Sequence, residues 1–137
     1  MPARTFIDTN VLVHAVDNAD PTKQRRAQRI LEPADDELVL SAQVLSEFYT
    51  VVTRKLAVPL APKDAQAMVD ALARLPTVAV TAELVRAAIA ASQEWQLSYW
   101  DALVLRSAES AGCERLLTED LADRSTYGTI RVENPFG

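Results

Sequence analysis

Strand-length apolar runs alternate with longer stretches of helical period from one end of the chain to the other. This alternation limits the fold more than any single motif does. Arg4–Asp8 reads as a strand, and its adjacent apolar residues Phe6 and Ile7 ask for burial on both faces. Asn10–Val16 reads as a short helix, with Asp8, Thr9 or Asn10 as its N-cap. Asp20-Pro21 opens a second helix, the acid capping it and the proline filling a first-turn position that needs no N–H. That helix runs to about Leu31, with Ala27, Ile30 and Leu31 inward and Lys23, Arg25, Arg26 and Arg29 outward; Pro33–Asp36 ends it. Glu37–Leu40 is a second strand. Ser41 caps a helix whose Val44, Leu45, Phe48, Val51 and Val52 recur at helical spacing to about Lys55. A further helix spans about Lys63–Leu75, and Thr77–Val80 is a third strand. Thr81 caps the next helix, Ser98 caps Tyr99–Ala111, and Gly112 stands where a helix-ending glycine belongs. Glu114–Thr118 is a fourth strand, Leu121–Gly128 a loop, and Thr129–Glu133 a last strand. Such alternation predicts an α/β fold, with a central, mainly parallel sheet of four to five strands flanked by helices in three layers.

With 137 residues, 49% of them apolar and 24% charged, the expectation is one domain covering residues 1–137. No apolar stretch nears the ~20 residues that span a bilayer, and no secretory h-region opens the chain. Cys113 is the only cysteine, so an internal disulfide is excluded and a cytoplasmic setting is expected. It reads as a small buried hydrophobe. His14 is the only histidine, which excludes a histidine-cluster metal site and argues against a Ser-His-Asp mechanism. The three glycines all fall at or after Gly112, so neither a phosphate-binding loop nor a dinucleotide fingerprint exists. The net charge of −5 argues against a plain nucleic-acid-binding module, which usually carries a basic patch. It does not argue against an enzyme whose acids hold cations.

Four acids recur at one logical place. Asp8 ends the first strand and Asp120 follows the fourth. Glu47 lies in the second turn of the helix after the second strand, and Asp101 in the first turn of the helix begun by Ser98. In an open α/β sheet, ligands bind outside the carboxyl ends of the strands, and all four positions lead there. Carboxylates gathered in one cleft raise each other's pKa unless hard cations sit among them. An all-oxygen donor set without His or Cys selects Mg²⁺ or Mn²⁺ over zinc. Bland readings stand beside this one. Asp8 can be only a cap, Glu47 only an exposed residue, and Asp101 a cap or a partner of Arg106. Glu119 and Asp123 compete with Asp120 for the fourth place. The Lys23–Arg29 run reads as a solvated helix face, and Trp95, Tyr99 and Trp100 as core or subunit-contact residues.

With these residues in hand the chain resembles the PIN-domain ribonucleases, and among them the VapC-type toxins of bacterial toxin–antitoxin pairs. The resemblance is carried by Phe6-Ile7-Asp8-Thr9-Asn10-Val11, Ser46-Glu47-Phe48, Tyr99-Trp100-Asp101-Ala102-Leu103 and Leu116-Leu117-Thr118-Glu119-Asp120-Leu121. The closing Asn134-Pro135-Phe136 adds to it. The resemblance implies a PIN-like fold and a catalytic, metal-binding site of Asp8, Glu47, Asp101 and Asp120 holding Mg²⁺ or Mn²⁺. It implies that Thr9, Asn10 and Thr118 orient those carboxylates or the substrate. It further implies endonucleolytic hydrolysis of RNA, with a type II toxin's cognate VapB-like antitoxin as partner, a homodimer, and no membrane. Two other readings stay open: a phosphohydrolase using Asp8 as nucleophile, though Asn10 stands where a second acid is usual, and a non-catalytic partner-binding domain.

Overall fold

The computed structural model describes residues 3–33 and 36–137. The expected turn at Pro33–Asp36 includes Ala34 and Asp35, which lie outside the described residues. Along the chain the elements are β1 (Arg4–Ile7), α1 (Thr9–Val16), α2 (Pro21–Leu31), β2 (Glu37–Ser41), α3 (Ala42–Arg54), α4 (Pro62–Leu72), β3 (Thr77–Val78), α5 (Ala82–Trp95), α6 (Tyr99–Ser110), β4 (Arg115–Leu117), β5 (Thr126–Tyr127) and β6 (Ile130–Glu133). The strands form one sheet in the order β3-β2-β1-β4-β6-β5. All neighbours are parallel except β5 against β6.

The strand order decides where the site lies. From β1 the chain steps to β2 and then β3 on one side, while β4 returns to the other side of β1. The order therefore reverses between β1 and β4, and a crevice opens there at the carboxyl ends of the strands. Register fixes what stands at its rim. Phe6 pairs with Leu116 and Ile7 with Leu117. The next residues on each side, Asp8 and Thr118, thus leave the sheet together.

Phe6 and Ile7 point to opposite faces, yet each is fully buried, so helices cover the sheet on both sides. Val39, Leu40, Leu116, Leu117, Ile130 and Val132 complete the strands' buried share of the core. Helix α1 packs on α2 and α3, and α3 on α4; α5 and α6 pack together, with α6 lying over β2, β4 and β6. Phe48 and Val44 of α3 are buried, as their spacing requires. Burying each such side chain contributes about 1.5–3 kcal/mol. No helix among the described residues is long and apolar enough to cross a membrane.

The sheet has six strands, against the four to five expected. The addition is β5, in the segment read as a loop: Thr126 and Tyr127 turn back on β6 through Gly128, whose φ of +58° suits glycine. Two residues carry no periodicity to read. Strand β3 stops at Val78 rather than Val80, and α4 stops at Leu72 rather than Leu75. Pro76 bars helix from the residue before it, and Ala73 closes the helix by donating to Val69 O.

Candidate active site

Asp8 is the best-defined of the four acids. It is itself the N-cap of α1, so Thr9 and Asn10 are helical residues and not the cap. Its Oδ1 accepts from the Thr9 N–H at 2.7 Å, and its Oδ2 accepts from the Thr118 hydroxyl at 2.8 Å. Asp8 is 7% exposed. Burial pushes its pKa up from 3.8 to about 6; the bonds from Thr118 and Thr9 oppose the rise, and Asp120 and Glu47 add to it.

Thr118 organises the rim. Its Oγ1 accepts from Asn10 Nδ2 at 3.0 Å and from the Asp120 N–H at 3.1 Å. With both lone pairs engaged, the hydroxyl proton is left for Asp8. Asn10 in turn accepts the Glu119 N–H on Oδ1 at 3.2 Å. The start of α1 and the turn after β4 are therefore laced together through one hydroxyl and one amide. Thr9 Oγ1, next in sequence to Asp8, is buried without a partner.

Glu47 lies on the solvent side of α3, and Asp101 in the first turn of α6, where Ser98 Oγ caps the helix by accepting the Asp101 N–H at 3.1 Å. Both carboxyls titrate above their ordinary range. For Glu47, burial leads, the neighbouring Gln43 amide opposes, and Asp120 and Asp101 raise it further. For Asp101, burial leads, Ser98 opposes, and Asp120 raises it. Asp120 thus acts on all three other acids. The Arg106 guanidinium does not hold Asp101. It pairs with Glu109 at 2.6 Å and stacks on Trp95 at 4.6 Å.

The three acids after β4 separate by their partners. Glu119 Oε1 meets His14 Nε2 at 2.8 Å and its Oε2 meets Lys23 Nζ at 3.1 Å. Burial works to raise its pKa, but the His14 and Lys23 contacts together hold it below the usual range. Asp123 accepts the Asn134 N–H at 2.8 Å. Only Asp120 faces Asp8, Glu47 and Asp101. His14 and Lys23 were not among the residues singled out for the site, because their common partner is 105 and 96 positions away in sequence. Phe136 packs against both, edge-on to His14 at 4.7 Å and 5.6 Å below Lys23 Nζ. Cys113 is buried, and burial first, with Glu37 against Arg4, pushes its thiol up to about 11. It is no nucleophile.

Among the described residues, no three His, Cys, Asp or Glu side chains close a ligand set as they stand. Asp120 stands within electrostatic reach of Asp8, Glu47 and Asp101, and Glu47 within reach of Asp8 and Asp101. A hydrated divalent cation needs only one or two carboxylates directly and keeps waters for the rest. The donors are all hard oxygens, and Asp8, Glu47 and Asp101 have raised proton affinity, so the set fits Mg²⁺ or Mn²⁺ by its chemistry.

Residues 5–124 match the family model of the PIN domain. No curated protein sequence matches the chain at a significant level. Among solved structures the chain is similar to a toxin–antitoxin complex from Klebsiella pneumoniae, at 21% identity over 96% of this chain and 97% of that one, with a TM-score of 0.68. It is similar to Mycobacterium tuberculosis VapC20, a sarcin–ricin loop cleaving toxin, at 20% identity over 82% and 86%, with a TM-score of 0.62. A third is VapBC2 from Rickettsia felis bound to a promoter DNA fragment, at 17% identity over 96% and 98%, with a TM-score of 0.64. At these identities the likeness is one of fold.

Proposed function

The chain belongs to the PIN domain family, and from that premise we propose that it is a metal-dependent endoribonuclease, the toxin of a type II toxin–antitoxin pair, with residues 1–137 as one such domain. The observation that carries the reading is the set of four carboxylates at the reversal of strand order, three of them with raised pKa and Asp8 held by Thr118.

In this reading Asp8, Glu47, Asp101 and Asp120 hold Mg²⁺ or Mn²⁺, and each has a different support. Asp8 is fixed by two hydrogen bonds, so its orientation is set before any cation arrives. Asp101 is carried on a capped first turn, and Asp120 on a turn whose N–H is held by Thr118. Glu47 projects from α3 with freedom to adapt. When bound, the cation supplies a more acidic water and neutralises charge on the phosphoryl group in the transition state. Asn10 and Thr118 keep the acids in register, and Thr9 adds its unpartnered hydroxyl beside them. Asn10, two residues after Asp8, counts against the phosphohydrolase alternative, which usually has a second acid there.

The toxin reading is supported by the fold likeness to toxin–antitoxin complexes that cover 96–98% of both chains. It makes a VapB-like antitoxin the partner, a homodimer the working form and the cytoplasm the setting. The reading is tested by incubating defined RNAs with the protein in Mg²⁺, in Mn²⁺ and in a chelator. Cleavage confined to the metal arms, and lost in Asp101→Ala, is expected. Cleavage that persists in the chelator contradicts it.

A further inference from the structure

Beside the acids, α3 and α6 leave between them a cleft of about 620 Å³. Its lining is mainly apolar, with Val80, Tyr99, Trp100 and Leu103, and it includes Glu47 and Lys55. Trp100 is 61% exposed, a large apolar surface to leave to water. Its ring is set edge-on against Tyr99 at 4.9 Å, and the Gln43 amide reaches its carbonyl at 3.4 Å. The Gln43 Oε1, on the same cleft, is buried without a partner.

We propose that this cleft receives an unpaired base of the RNA next to the scissile phosphate, with Trp100 as its stacking platform. The proposal rests on the ribonuclease reading and adds a substrate subsite to it. Cleft and acids are continuous: Glu47 belongs to both, and Asp101 follows Trp100 in sequence. A phosphodiester presented to the acids lays its flanking nucleotides against whatever borders them, and this cleft is that border. The chain's net charge of −5 limits what phosphate pairing can supply. Stacking on an aromatic ring requires no positive charge and serves any base. Lys55, which lines the same cleft as Glu47, offers a single cation for an adjoining phosphate. A duplex keeps its bases inside, so the subsite selects single strands and loops. The competing occupant is a second copy of this chain covering Trp100.

The test measures binding of a short labelled single-stranded RNA, and of its duplex, to Asp8→Asn protein, with sedimentation of each variant and cleavage by wild type in parallel. Trp100→Ala should raise Kd for the single strand roughly tenfold, and Trp100→Phe by no more than about threefold. The duplex should bind weakly and insensitively, and the oligomeric state should not change. An unchanged Kd overturns the subsite, as does no binding to Asp8→Asn protein. A loss that coincides with a dimer falling to monomers also overturns it and assigns the face to a second copy. Cleavage separates the two levels: RNA held through Trp100 but never cut removes the nuclease and keeps the subsite, whereas cutting with Trp100→Ala binding unchanged does the reverse.

Discussion

The Thr118 hydroxyl donates to Asp8 Oδ2 at 2.8 Å, joining two residues 110 positions apart. The bond's direction is imposed, because Thr118 Oγ1 already accepts from Asn10 and from the Asp120 N–H. Thr118→Val removes one donor and one double acceptor at constant shape. It should lower unfolding stability by about 1–3 kcal/mol and push the Asp8 pKa above about 6. Thr118→Ser should keep both within about 1 kcal/mol of wild type. Urea denaturation and carboxyl titration by NMR measure the two effects, and a Val variant as stable as wild type would remove Thr118 from its central place.

Burial of Asp8 makes stability depend on pH with a definite sign. The folded pKa, about 6, lies above the unfolded value of 3.8, so the native state holds the proton more tightly. Stability from this group is full below about pH 4 and is lost as pH rises through 6, a decline of about 3 kcal/mol. Asp8→Asn still caps α1 and lacks this titration. In chelator at pH 7.5 the variant should be more stable than wild type by about 1–2 kcal/mol, one hydrogen bond having been lost, and the difference should shrink or reverse at pH 4. Denaturation of both proteins at the two pH values checks it, and a variant less stable at pH 7.5 would contradict the burial account.

A cation among the acids should stabilise the fold. At a concentration of about one hundred Kd, Mg²⁺ should raise Tm by roughly 8 °C for a chain of this size. The effect should weaken below about pH 6, where protons compete for Asp8. Asp8→Asn and Asp101→Asn should each show a much smaller shift in a thermal melt. An equal shift in all three proteins would place the cation elsewhere.

The neighbouring acids should separate cleanly. Asp120→Ala should reduce RNA cleavage at least about a hundredfold, while Glu119→Gln and Asp123→Asn should keep it within about fivefold. Glu119 is occupied by His14 and Lys23, and Asp123 by the Asn134 N–H. Single-turnover cleavage rates decide it, and a Glu119→Gln loss as deep as that of Asp120→Ala would reassign the fourth acid.

The legible part of the fold follows from burial. Adjacent Phe6 and Ile7 could only belong to a strand covered on both faces, and the period of α3 named its buried side, with Val44, Phe48 and Val52 inward. The position of Asp8 after such a strand led to the sheet's carboxyl edge. Elements without periodicity stayed hidden. Two-residue β5 is held by its pairing with β6, and α5 ends on Gln96, which takes the left-handed conformation without being glycine. At the site, residue type and local position suggested acids but left Glu119, Asp120 and Asp123 equivalent. What separates them is their partners: His14 and Lys23, 105 and 96 positions away, for Glu119, and Asn134, 11 positions away, for Asp123. The role of the closing segment was equally non-local, with Arg26 donating to the Pro135 carbonyl at 3.1 Å and Phe136 seated on His14.

The most direct measurement is the rate at which a defined RNA is cut by wild type and by Asp8→Asn, each in Mg²⁺ and in chelator, at a pH where both are shown to be folded. Wild type should cut only in Mg²⁺. Asp8→Asn should lose at least about a thousandfold of that rate while remaining folded. Cutting by Asp8→Asn at the wild-type rate, or by wild type in chelator, would contradict an active site built on Asp8.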